Sequence, residues 1–211
     1  ESRKIRMEAV TGIIIGASAA AGLGLLSLVN YRRFMPAAKP LNNKNYRVAV
    51  KPCSVETKGK RIYGELLTPK GVSKKLPVVI CAHGYGSHYS LTKAMIGKPL
   101  AMSGWAAFCF DFCGGAPKNK STGSFHDMTI FTEKADLLDV IDYVKTLPQI
   151  DPRRIYLLGE SQGGMVSAIA APERAEDIRA MVLYYPAFCI PDDARSKFTS
   201  KNAIPDEVEA F

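Results

Sequence analysis

Residues Gly159-Glu160-Ser161-Gln162-Gly163 set a serine between two glycines at a spacing that suits covalent catalysis. A serine hydroxyl is a weak nucleophile until a neighbouring base takes its proton. The apolar run Ile155–Leu158 before it reads as a buried strand, and Gln162 to Ala171 after it as a helix ended by Pro172. A serine between such a strand and helix sits on a tight, strained turn, the nucleophile elbow. Side chains at Gly159 and Gly163 would collide with the neighbouring strand and helix, and Gly164 lets the helix pack closely. The helix N-terminus faces the serine, where its dipole favours developing negative charge.

His83-Gly84-Tyr85-Gly86-Ser87 follows another apolar run, Leu76 to Ala82. Acyl transfer passes through a tetrahedral oxyanion that preorganised N–H donors must meet. One donor is the N–H of the residue after the serine, here Gln162; the second comes from the loop after the third strand, here Tyr85. Gly84 and Gly86 let that loop turn an N–H inward. His83 reads as a brace for the loop. Asp111 reads as a structural anchor for the Gly114-Gly115 loop, and Glu160 as a neighbour of the pocket without a chemical role. No spacing suggests a metal site, and no Gly-rich loop precedes a Lys-Ser/Thr pair. No cofactor is expected.

The elements that must position these residues follow from periodicity. YRVAVKPCSV and KRIYGELLTP read as two strands joined by a turn at Lys58-Gly59, and LPVVICAHG as a third, fully buried strand. A helix is expected from Thr92 to Ser103, then the strand WAAFCFDF and a Gly-rich loop from Gly114 to Gly123. Thr129 to Leu147 has helical periodicity, with Leu137, Leu138, Ile141 and Val144 on one side and Glu133, Asp136 and Asp139 on the other. Asp151-Pro152 reads as a turn into the fifth strand, RIYLLG, and RAMVLYYPA is a sixth. Strands alternating with helices after a hairpin predict a mostly parallel α/β sheet, covered by helices on both faces.

The segment from about Pro77 to Ala187 resembles the α/β-hydrolase superfamily. Within it, HGYGS, the strand ending in DF, GSFHDMTI, the long helix and GESQGG resemble the cinnamoyl/feruloyl esterases and their serine-aminopeptidase-like (S33) relatives. The resemblance implies Ser161 as nucleophile and Tyr85 and Gln162 as oxyanion donors. It also implies a lid after the sixth strand, beginning near Cys189, and substrates that are esters of small or aromatic acids.

One departure is large. The triad of this fold runs serine, acid, histidine, yet no histidine follows Ser161; the three present are His83, His88 and His126. His88 and His126 lie in expected loops and read as surface residues, with substrate contact an alternative for His126. Asp192, Asp193 and Asp206 fall where the lid is expected, so none is a good catalytic acid. The last strands, with the acid and the histidine, are therefore expected to be missing, and the 211 residues alone are expected to be inactive.

The N-terminal third has another character. Val10 to Val29 are twenty residues without a charge; as a helix they span about 30 Å, the hydrocarbon thickness of a bilayer. Arg3, Lys4 and Arg6 flank one end and Arg32 and Arg33 the other. This reads as a signal anchor, with a cleaved signal peptide or a buried helix as alternatives. Gly12, Gly16, Ala20 and Gly24 recur every four residues, a face on which two helices could dimerise, although small residues are common in such segments.

The net charge of +8 is concentrated here: residues 1–80 hold 15 Lys/Arg against 4 Asp/Glu. Anionic lipid headgroups attract such a stretch, a solvated basic arm being the alternative, and no nucleic-acid motif accompanies it. The five cysteines show no regular spacing and read as buried thiols, not a disulfide framework. The division expected is a basic flank 1–9, a membrane anchor 10–30, a linker 31–45, a core 46–188 and the start of a lid 189–211.

The leading functional expectation is a serine esterase acting through an acyl-enzyme on a small ester. A peptidase or thioesterase on the same fold is the nearest alternative. A catalytically inactive hydrolase fold used for binding is the alternative of a different class.

Overall fold

The computed structural model describes residues 13–15, 38–117 and 119–195. Among the described residues, seven strands form one sheet: β1 (Ile13–Ile15), β2 (Val48–Thr57), β3 (Lys60–Pro69), β4 (Leu76–Ala82), β5 (Ala106–Phe110), β6 (Ile150–Glu160) and β7 (Ile178–Tyr184). Their spatial order is β1-β7-β6-β4-β5-β3-β2. β1, β7, β6, β4 and β5 are mutually parallel, whereas β3 runs antiparallel to β5 and to β2. The β2–β3 hairpin closes on Lys58 and Gly59, at φ 46° and 78°. Two positive φ values twist a two-residue turn to match its strands.

Both faces of the sheet are covered, as the run of apolar residues in β4 requires. Alternation along β4 sends Val78, Ile80 and Ala82 to one face and Val79 and Cys81 to the other. The first face packs on α3 (Ile130–Thr146) through Leu137, Val140, Ile141 and Val144, and on α4 (Gln162–Ala170) through Val166 and Ala170. The second packs on α1 (Tyr89–Thr92) and α2 (Lys98–Met102), joined into one helical run by a π-helical turn, Lys93–Gly97. Cys53, Cys81 and Cys109 are buried free thiols.

Three expectations need correction. The first helix begins at Tyr89, three residues early, because the Tyr89 N–H donates to the buried Asp111 carboxylate (2.7 Å). Asp151-Pro152 lies within β6, and a register shift opposite Leu76 and Val78 absorbs residues 151–154. Glu133 and Asp136 are not on the outer side of α3: they are 1% and 0% exposed. Positions 133, 137, 141 and 144 are spaced by four, four and three residues, which keeps them on one stripe of a helix.

Of the expected anchor 10–30, three residues are described. Ile13–Ile15 are not helical; they pair in parallel with Val182–Tyr184. Three consecutive β-branched residues favour an extended strand, and the N–H and C=O groups at the edge of β7 accept such a partner. The rest of the 10–30 segment, with Gly12, Gly16, Ala20 and Gly24 of the expected helix–helix face, lies outside the described residues. Among the described residues no helix is long and apolar enough to cross a membrane. The end of the expected linker is docked: Leu41 N–H donates to Ser103 Oγ (2.6 Å) and Tyr46 N–H to the Met102 carbonyl (2.8 Å).

Candidate active site

The pairing of Ala82 with Gly159 across β4 and β6 brings two loops together at the same end of the sheet. Ser161 stands at the junction of β6 and α4 with φ 51° and ψ −117°. A non-glycine residue in that region is strained, and surrounding contacts must hold it. Ser161 N–H donates to the Tyr184 carbonyl (3.0 Å), and the Ser161 carbonyl accepts from Gly164 (2.9 Å), Met165 (3.2 Å) and Ala187 (2.9 Å). The bend is thus fastened to β7, to the loop after β7 and to its own helix.

The motif glycines are sites of close approach. A Cβ on Gly163 would stand 2.4 Å from the carbonyl oxygens of Ala82 and His83, and one on Gly159 2.4 Å from the Gly163 carbonyl. A Cβ on Gly164 would meet Pro186 at 2.9 Å. The helix therefore sits against the strands at a distance only glycine permits. The Gly84 Cβ position falls 3.2 Å from Ser161 Cβ, so the loop after β4 lies directly on the serine.

Gly86 takes φ +66°, and its N–H donates to Gly115 (3.2 Å) while Ser87 N–H donates to Gly84 (3.1 Å). These bonds fasten the loop on both sides of Tyr85. The Tyr85 ring is 63% exposed and lies 5.2 Å from the Phe125 ring, at the mouth of the site.

Gln162 is the first residue of α4, so its N–H has no acceptor within the helix. That N–H and the Tyr85 loop flank the serine. The pair of expected oxyanion donors thus stands on two fastened elements.

His83 is 1% exposed and both ring nitrogens are engaged. Nδ1 is 2.8 Å from the Gly84 carbonyl, to which it donates, and Nε2 accepts from Phe112 N–H (3.2 Å). Burial holds its pKa below the ordinary histidine value. The ring ties the loop after β4 to the loop after β5. His88 bonds Ser90 Oγ (2.8 Å), and His126 is exposed beside Phe125.

Asp111 is structural, but its partners are Tyr89 N–H and Lys120 N–H (2.8 Å) rather than the Gly114-Gly115 turn. Glu160 is buried beneath the site, where Thr92 Oγ1 donates to it at 3.4 Å and burial raises its pKa.

Sequence reasoning missed Glu133. Its Oε2 accepts from Gln162 Nε2 at 2.8 Å, next to the serine. Burial, opposed by the Gln162 bond and reinforced by Asp136, pushes its pKa up to about 8. The available signal was its four-residue spacing from Leu137. No cluster of three or more His, Cys, Asp or Glu suited to a metal occurs among the described residues.

This sheet, with its serine on a positive-φ turn between the parallel strand β6 and the closely packed helix α4, defines an α/β-hydrolase. The family described as serine aminopeptidase, S33, matches residues 73–204, more than half of the chain, and the chain belongs to it.

The chain is similar to a lipase and to a protein solved with ferulic acid bound. Monoglyceride lipase of Rattus norvegicus is 30% identical over 139 residues, covering 64% of this chain and 42% of the lipase. Est1E of Butyrivibrio proteoclasticus, solved with ferulic acid bound, superposes with a TM-score of 0.60 at 30% identity, over 68% of this chain and 56% of Est1E. Dienelactone hydrolase of Anabaena variabilis shares the fold: TM-score 0.54, 23% identity, 64% of this chain and 62% of that one. The chain thus spans about half the length of the first two.

Proposed function

We propose that Ser161 is the nucleophile of a carboxylic ester hydrolase that works through an acyl-enzyme. The observation that carries this reading is the Ser161 backbone, held at φ 51° with the Gly84 loop against it and the first N–H of α4 beside it. Strain of this kind persists where surrounding structure over-determines it, and functional sites are where it collects.

In the reaction, Ser161 Oγ attacks the ester carbonyl and its proton passes to a base. The N–H groups of Gln162 and Tyr85 meet the oxyanion. The C–O bond to the alcohol then breaks, the alcohol leaves with the proton, and water releases the acid from the serine in the second half. His83 is not that base, because both its ring nitrogens are committed to the backbone. Within these residues no histidine follows Ser161 to serve as that base. An ester is favoured over a peptide or thioester by the similarity to monoglyceride lipase and to Est1E, and the exposed Tyr85, with the half-buried Phe125 beside it, offers its acyl group an apolar wall.

A fluorophosphonate probe should label the full-length protein, and Ser161→Ala should abolish labelling; labelling that survives the substitution rejects Ser161. The 211 residues alone should hydrolyse p-nitrophenyl acetate no faster than their own Ser161→Ala variant.

Membrane attachment through the uncharged run 10–29 is the accompanying proposal, supported by its length and basic flanks. Strand pairing of Ile13–Ile15 with β7 is the competing use of the same residues. Retention in the membrane pellet after a high-salt wash supports attachment, because salt screens headgroup attraction but not hydrocarbon burial; release into the supernatant rejects it.

A further inference from the structure

Among the described residues, no cation pairs with the buried acid Glu133. It is 1% exposed, and the partner of its carboxyl group is the Gln162 carboxamide. An acid kept out of water without a counter-charge costs stability, and such costs are retained where they serve a site.

The geometry around it is specific. Thr129 caps α3 in a reciprocal box: Thr132 N–H donates to Thr129 Oγ1 (3.1 Å) and Thr129 N–H to Thr132 Oγ1 (2.9 Å). That fixes the first turn of α3, and Glu133, the next residue, points inward from it. Gln162 Nε2 lies 2.8 Å from Glu133 Oε2 and 3.4 Å from Met128 Sδ, so both amide protons have acceptors in the segment 128–133. The Gln162 side chain is thereby tied to α3, while its own peptide N–H opens α4 beside Ser161.

We propose that Glu133 is a positioning residue, whose carboxyl group clamps the Gln162 carboxamide and so aims the Gln162 N–H at the developing oxyanion. This rests on the esterase reading above. The role requires an acceptor at Glu133 and does not require a negative charge. A negative charge there would stand behind the donor and oppose the oxyanion.

The groups facing Glu133 define its electrostatics. Gln162 comes from α4, Met128 from the loop before α3, and Asp136 from the next turn of α3. Asp136 is paired with Lys60 of β3 and accepts from Cys113 N–H (2.7 Å). The pKa of about 8 keeps Glu133 protonated at neutral pH.

The test compares variants of the full-length protein by kcat and KM for p-nitrophenyl butyrate and by the rate of fluorophosphonate labelling. Glu133→Ala should lower kcat about tenfold with KM nearly unchanged, because an oxyanion donor acts in the transition state and its complete removal costs about 100-fold or more. Glu133→Gln keeps a carbonyl acceptor and should recover kcat to within about threefold of the wild type, with a weaker fall of kcat above pH 8. In a Gln162→Ala background, Glu133→Ala should add no further loss of kcat.

A Glu133→Ala variant that melts earlier but keeps kcat within about twofold assigns Glu133 a packing role and overturns the proposal. So does an equal loss of kcat in the Gln162→Ala background. A wild type that neither labels at Ser161 nor turns over ester overturns the esterase reading itself, whereas labelling and turnover insensitive to Glu133 overturn this inference alone.

Discussion

Gly84 lies against Ser161: a Cβ on the glycine would stand 3.2 Å from Ser161 Cβ and 3.8 Å from its Oγ. The two residues are far apart in sequence and meet because β4 and β6 are neighbours in the sheet. The loop that is to supply one oxyanion donor is therefore registered directly on the nucleophile candidate.

Gly84→Ala should leave the fold intact and remove activity. A 3.2 Å contact needs a shift of only a few tenths of an ångström, but the loop that shifts carries the Tyr85 N–H. The expected loss is about 100-fold in kcat, the scale of one oxyanion donor. Equal kcat in wild type and variant would show that the loop does not serve the reaction.

Gly163→Ala should act on stability. Its Cβ would stand 2.4 Å from two backbone carbonyl oxygens of the β4 end, which cannot turn aside as a flexible side chain can. A cost of about 3 kcal/mol or more is expected, in the range of severe core overpacking. Chemical denaturation measures it, and an unchanged midpoint would contradict the close approach of α4 to β4.

Glu133 makes stability depend on pH. Its folded pKa, about 8, lies above the ordinary 4.5. As pH rises between these values the unfolded chain releases the proton first, so the folded state holds more protons and stability falls. The loss begins above pH 4.5 and is complete beyond about pH 8. Glu133→Gln lacks this titration and should be more stable than the wild type at pH 9 by on the order of a few kcal/mol, with a smaller difference at pH 5. A difference independent of pH would show that Glu133 does not titrate in this window.

Lys60→Met should destabilise the protein through Asp136. The Asp136 side chain is fully buried and Lys60 pairs with it, while the Lys60 side chain is 25% exposed. Removing the cation leaves a buried carboxylate without its counter-charge, a cost of about 3 kcal/mol. The double variant Lys60→Met/Asp136→Asn should cost less than Lys60→Met alone. Additive costs would show that the pair is not coupled.

Local patterns carried much of this architecture. The apolar run 76–82, the Lys58-Gly59 turn and the 129–147 periodicity each point to one element, since strand burial, turn geometry and helix amphipathicity are written in neighbouring residues. The glycines at 159 and 163 were legible for the same reason: a serine between a strand and a helix leaves no room for side chains on either side. The sense of His83 as a brace was also readable, although its partner Phe112 was not.

Other features depended on which distant segments meet. Asp111 reads as an ordinary strand-end acid until the sheet places Tyr89 and Lys120 at its two oxygens. Ile13–Ile15 belong to an uncharged run long enough for a membrane helix, and their strand pairing exists only because β7 offers an edge. Glu133 is the clearest case. Its charge argues for solvent, its spacing from Leu137 argues for the core, and sequence alone gives no weight to either. Tertiary packing decided it, because α4 delivers the Gln162 carboxamide as the partner that makes a buried carboxyl tolerable.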